Sequence, residues 1–354
     1  IDQIINFENL IGSNFNDNLT DGIGDNTLTG SDGSDTFNIT SGINVITDLT
    51  TGDILVVFPG ATANASNISS FIATAMTKNE GTVILTATST SLNDILPSPP
   101  TLIGMTKNEG KVTLAAGNIR SNIDMTLSSI GSYTIYGSSA QDQLLGGSGN
   151  DIIIGQNGSD VISGNGGDDL LTGSGGSDTF IISSGVDAIT DLTTGDILTV
   201  SSGAAANASN ILEFIATGMT KNEGKVTLAA GNISSNIDMT LSSIGSYTIF
   251  GGIGEDQLLG SSHNDNITGN GGDDTLTGNR GNDTLSGNSG NDTFNVNSGT
   301  DSITDLTTGD ILNVSSGAVA NAKNISEFIA TPATINSGMT TLTSNNSDSI
   351  IDMT

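Results

Sequence analysis

Aspartate is the residue of this chain whose number and spacing could do chemistry. Of 38 acidic residues 31 are Asp and 7 Glu, against 8 basic residues, for a formal net charge of −30. A short carboxylate close to the backbone suits turns and oxygen cages for hard cations, whereas Glu suits helices. The aspartates recur every nine residues. From Gly137 the chain reads GSSAQDQLL, GGSGNDIII, GQNGSDVIS, GNGGDDLLT, GSGGSDTFI, ISSGVDAIT. From Gly251 it reads GGIGEDQLL, GSSHNDNIT, GNGGDDTLT, GNRGNDTLS, GNSGNDTFN, VNSGTDSIT. The sixth position is Asp in all twelve: Asp142, Asp151, Asp160, Asp169, Asp178 and Asp187, then Asp256, Asp265, Asp274, Asp283, Asp292 and Asp301. A poorer run begins at Gly12; it keeps Asp17 and Asp35 but has Asn26 and Asn44 where Asp is expected.

The elements that must position these acids follow from the rest of the nonapeptide. Positions one to six are turn chemistry: Gly or Asn at positions one, two and four tolerates positive φ and close backbone approach, letting carbonyl oxygens point inward. Positions seven to nine are a short strand with Leu, Ile or Phe at its centre between outward polar residues. Two nonapeptides make one coil with a strand on each side, so turns stack every eighteen residues and the central aliphatics meet between two parallel sheets. Stacked aspartates on one edge would repel. A hard divalent cation between them removes that penalty, taking carboxylates and carbonyls as ligands. Six to eight oxygens in a flexible turn suit calcium better than magnesium, and no Cys with one His argues against zinc or copper.

The run of phased nonapeptides resembles the RTX (repeats-in-toxin) family of hemolysin-type calcium-binding repeats, whose consensus is G-G-x-G-x-D-x-U-x. The resemblance covers about a third to a half of the chain. It implies a right-handed parallel β-roll, calcium between stacked turns with the fourteen aspartates named above as ligands, and export by type I secretion. Pairing each turn with the next on its edge (142 with 160, 151 with 169) gives at most about four ions per full block.

Larger repeats enclose the small ones. The string from Thr106 to Ile135 recurs from Thr220 to Ile249 with one change, Arg120 to Ser234. ITDLTTGDIL appears at Ile46, Ile189 and Ile303, and TKNEG at Thr77, Thr106 and Thr220; the piece containing Pro97, Pro99 and Pro100 reads as a 29-residue insertion in the first module. The expected organisation is a partial first roll over 1–48, a capping segment with the insertion over 49–136, a second roll over 137–190, a capping segment over 191–250, a third roll over 251–304 and a truncated cap over 305–354. Tandem near-identity of this kind is typical of structural arrays. The chain opens on Ile1 without a signal peptide and closes on a string that also occurs mid-module, so both ends read as cut from a longer array.

Within the caps, ITDLTTGDILTV predicts two strands around a turn, with Asp48/Asp53, Asp191/Asp196 and Asp305/Asp310 serving that turn. In ANASNILEFIAT, Asn210 with Glu213 three residues on resembles a helix capping box, and Ile211, Phe214 and Ile215 form one apolar face, predicting a short helix that plugs the roll. KVTLAAG, NIDMTLS and SYTIYG read as strands.

Other function classes fare poorly. Acid without compensating base repels nucleic acid and anionic membranes, and no apolar run is long enough to span a bilayer. Disorder is opposed by 34% hydrophobic residues in strict period. His263, the only histidine, sits in a turn without H-E-x-x-H, so the chain is read as having no catalytic residues. Thr27, Thr275 and Thr277 lie in rows too irregular for an ice-binding face, and the sequons at Asn64 and Asn67 arise by chance in such a composition. The favoured function is an extracellular or cell-surface bacterial protein that folds on calcium and serves as a coat, filament or spacer, with copies of itself as partners. The rivals are the carrier segment of a larger secreted enzyme or toxin, and an adhesin whose groove would have to draw on Tyr133, Tyr136 or Tyr247.

Overall fold

The computed structural model describes residues 8–68, 70–72, 77–87, 101–103, 107–108, 110–117, 120–126, 131–344 and 349–353. Pro97, Pro99 and Pro100 of the insertion lie outside them, as do Thr106 and Glu109 of the second TKNEG string. The chain divides into two compact units, Ile1–Asp187 and Ala188–Thr354. Among the described residues each is all strand and no helix, and their strands pair in parallel as a β-solenoid. No helix there is long and apolar enough to cross a membrane.

The strand triplets stack in register. In the first unit Ile135 faces Ile153 and Ile153 faces Leu171 in one ladder, while Leu144, Ile162 and Phe180 succeed one another in the opposite one. In the second unit Ile249, Ile267, Leu285 and Ile303 form one row, and Leu258, Leu276, Phe294 and Leu312 the other. These central residues are almost fully buried. Most are Leu or Ile, with Phe180 and Phe294 the large exceptions, so the core is a narrow, mainly aliphatic seam between two sheets, continuous along each stack. That is how a chain without Trp or Cys buries apolar surface.

Segments between the nonapeptide blocks join the same ladders. In the second unit Ala206 faces Val226 and Val226 faces Tyr247, while Phe214, Ile237 and Leu258 follow each other on the other side. Their coils are longer than the eighteen residues of the nonapeptide coils.

The helix expected around Asn210 is not there. Ala205–Ile211 and Glu213–Ile215 are strands, and Asn210 has φ of +59°, a left-handed conformation incompatible with capping a helix. The equivalent Asn67 and Asn324 have φ of +60° and +63°. The governing period is two, not 3.6: Ala204, Ala206 and Ala208 point inward, then the bulge at Asn210 turns Ile211 into the core. Ile211 and Phe214 are both buried, but in two different ladders, against Ala230 and Ile237. A helix would leave the neighbouring coils without backbone partners.

Candidate metal centre

Every sixth-position aspartate of the second and third blocks is buried, with at most 3% of its surface exposed. Its place is set by the strand that follows: with position eight inward and position seven outward, position six falls inward at the corner. The carboxylates then form ladders. Asp160 Oδ1 accepts the Asp142 backbone N–H at 2.7 Å, and Asp178 Oδ1 that of Asp160 at 2.8 Å. On the opposite edge Asp151 Oδ1 accepts from Tyr133 N, Asp169 Oδ1 from Asp151 N and Asp187 Oδ1 from Asp169 N. The third block repeats this with Asp274, Asp292 and Asp310 on one edge and Asp265, Asp283 and Asp301 on the other. One oxygen of each acid therefore staples its coil to the one before, eighteen residues back, or 21 for Asp142 and Asp256, which accept from Ser121 N and Ser235 N.

The second oxygen is where the turns differ. In the two opening turns of each block it is satisfied from within: Ser138 N–H donates to Asp142 Oδ2 at 2.7 Å, Gly147 to Asp151 at 2.6 Å, Gly252 to Asp256 at 2.6 Å and Ser261 to Asp265 at 2.5 Å. In later turns Oδ2 of Asp160, Asp169 and Asp187, and of Asp274, Asp283 and Asp301, is buried with no hydrogen-bond partner. In the third and fourth turns the backbone explains the difference. Gln156, Asn165, Asn270 and Asn279, all at position two, have φ between +69° and +74°, and the position-four glycines of the same turns are also left-handed. This αL conformation aims the position-two N–H away from the acid. Position one is glycine for room and not for φ: a Cβ on Gly155 would stand 2.5 Å from Asp160 Oδ2 and 2.8 Å from the Gly173 carbonyl oxygen.

These stacked turns match a known family. The model of the RTX calcium-binding nonapeptide repeat, four copies long, fits residues 11–46, 134–153, 145–180, 154–189, 248–276 and 268–303. This chain carries RTX calcium-binding nonapeptide repeats. The matches fall on the three blocks and cover less than half of the chain. No curated protein matches it.

The turns of these RTX repeats fit a hard cation. A buried carboxylate oxygen without a donor is costly as an anion. Burial accordingly pushes Asp160, Asp187, Asp274 and Asp283 up to about 7, and Asp169, Asp292 and Asp301 up to about 6, with stacked carboxylates adding to the rise in most of them. Asp151 also rises to about 7 from burial, against the lowering effect of Gly147 and Tyr133 N–H. A divalent ion beside these oxygens would take the place of the proton. Among the described residues no three carboxylate or imidazole side chains converge on one point, so such an ion would take much of its shell from backbone carbonyls, as calcium does.

The RTX repeats of the first block are built differently. Asp17 Oδ2 accepts from Ser13 N and Oγ, and Asp35 Oδ1 from Asp17 N. Asn26 sits in the ladder, yet its Nδ2 donates to the carbonyls of Gly22 and Gly24 at 3.3 and 2.8 Å. Asn44 Nδ2 donates to Ser41 O and Asp21 Oδ2. An amide nitrogen here answers the oxygens that a cation would.

Several contributors were not legible as such. Position five forms its own ladder: Asn150 Oδ1 accepts from Asp168 N, Asp168 Oδ1 from Val186 N, and Asn282 Oδ1 from Thr300 N. The recurrence of Asn and Asp there was the available signal. Position-two amides of Gln156, Asn165, Asn270 and Asn279 cap the position-one carbonyls of the preceding coils, Gly137, Gly146, Gly251 and Gly260. In the TTGD turns both oxygens of Asp53 and Asp310 are occupied, one by Thr50 or Thr307 and one by the ladder N–H of Asp35 or Asp292, so these acids end the stack as turn formers. Asp48 and Asp305 each accept two consecutive backbone N–H groups of the preceding coil.

Proposed function

We propose that this is an extracellular calcium-binding structural protein without catalytic residues of its own, which folds as it meets calcium outside the cell and serves as a surface coat, filament or spacer. The observation that carries the reading is the set of buried carboxylate oxygens without donors in the second and third blocks. Without a cation these acids must hold protons near neutral pH or break the stack. With one, binding energy becomes folding energy. RTX-repeat proteins are typically secreted, and a chain of net charge −30 kept extended by low cytoplasmic calcium suits passage through a type I channel. A stack stabilised coil by coil supplies length and stiffness. Tyr133 and Tyr247 are 2% exposed, which disfavours an aromatic sugar groove.

Circular dichroism during a calcium titration from EGTA, with magnesium as control, tests this. A cooperative gain of β-structure specific to calcium is expected. A chain equally folded in EGTA at pH 7.5 and indifferent to calcium would sink the proposal.

A further inference from the structure

The internal symmetry of the two full blocks allows a sharper assignment, which rests on the calcium reading above. The stranded oxygens fall at the third, fourth and sixth turns of one block, Asp160, Asp169 and Asp187, and at the same turns of the other, Asp274, Asp283 and Asp301. The first and second turns of both blocks share the opposite arrangement, with Oδ2 held by the N–H of the position-two residue. The carbonyls of the position-one glycines in those opening turns are also taken, by side-chain amides of Gln156, Asn165, Asn270 and Asn279. Acid and carbonyl are thus both satisfied by protein donors before any ion arrives. The backbone divides along the same line: position four is left-handed at Gly158, Gly167, Gly272 and Gly281, but Ala140, Gly149, Gly254 and His263 are absent from the positive-φ residues. That is why alanine and histidine are tolerated at position four only there.

We propose that the sixth-position aspartate has two jobs: in the two opening turns of each block it is a cation-independent staple, and calcium is confined to the later turns around Asp160, Asp169 and Asp187 and around Asp274, Asp283 and Asp301. In the first block the turn of Asp17 belongs with the opening turns, its Oδ2 held by Ser13 N and Oγ, whereas the turn of Asp35 has the left-handed Ser31 and Gly33 of the later turns. Among its described residues no carboxylate oxygen is stranded, and Asn26 supplies the donors instead. Asp17, Asp142, Asp151, Asp256 and Asp265 then carry the repeat's acid without serving as calcium ligands. Physically, an ion entering an opening turn would have to displace charge-assisted hydrogen bonds already formed, whereas in later turns it meets bare oxygens.

Equilibrium dialysis of the full chain against calcium chloride in about 0.15 M KCl, where surface charge is screened, reads the stoichiometry. The expected plateau is no higher than one ion per stranded oxygen, that is, six per chain. The variant D142N/D151N/D256N/D265N should keep the wild-type count, and D160N/D169N/D274N/D283N should lose ions. A plateau above six, or an equal loss in both variants, overturns the assignment. Should the first variant fail to fold in calcium, the wild-type plateau alone decides. If the wild type binds no calcium at all, the underlying reading falls, a result distinct from binding with the wrong distribution.

Discussion

Asn26 and Asp160 occupy the same position of the repeat and solve the same problem in opposite ways. The turn leaves carbonyl oxygens facing inward; Asn26 answers them with its own Nδ2, while Asp160 adds another oxygen and so requires a cation or a proton. Replacing Asn26 with Asp removes two buried donors and buries a charge. Denaturant unfolding in EGTA at pH 7.5 should then show a loss of about 1–3 kcal/mol, with part regained on adding calcium. Gly155 makes a second test at this scale. Its φ is ordinary, so Gly155→Ala costs only the space the new methyl takes from Asp160 Oδ2 and Gly173 O. We expect about 1–3 kcal/mol from overpacking, together with a higher calcium midpoint in circular dichroism.

The strands owe their existence to their neighbours. A triplet such as Val161–Ser163 is too short to persist alone, and it forms because Ile162 packs between Leu144 and Phe180 in a continuous row. Truncating a central rung, Leu171→Ala, should lower stability in calcium by about 2–5 kcal/mol, read by thermal or denaturant unfolding. The bulge in Ala205–Ile211 is tested independently by Asn210, which is exposed and left-handed, so packing does not confuse the result. Asn210→Gly should be near neutral, and Asn210→Val should cost about 1–2 kcal/mol because a β-branched side chain resists positive φ.

Over the whole molecule the raised aspartates make the calcium-free fold sensitive to pH. Their ordinary value is 3.8, and burial lifts those of the later turns to about 6 or 7. A carboxylate raised on folding contributes stability that is fully present below its unfolded value and is lost as pH rises through its folded value. The calcium-free chain should therefore be most stable at or below about pH 4 and lose stability between about pH 4 and 7, the opposite of ordinary acid denaturation. Thermal melts in EGTA across that range measure it. Calcium should reverse the trend, raising the melting temperature strongly at pH 7.5 and little at pH 4.5, because the ion and the proton compete for the same oxygens.

The nonapeptide alone determined most of the fold. A nine-residue period with one inward aliphatic allows little besides two parallel strand rows with stacked turns, and Leu144, Leu171, Leu258 and Leu285 lie in those rows. The position of the acids at the corner followed from the same alternation. The sequence did not reveal that Ala206 and Ala208 lie in a strand, because the neighbouring Asn210–Glu213 spacing also matches a helix signal and only pairing with Val226 and Leu228 decides between them. Nor did it distinguish Asp142 from Asp160. Both stand sixth in a glycine-led nonapeptide, and what separates them is whether position two is left-handed, which depends on the coil stacked beside it: Ser138 turns its N–H onto its own acid, while Gln156 reaches back to cap Gly137. Local spacing sets which atoms can meet, and contacts eighteen residues apart decide which of them do.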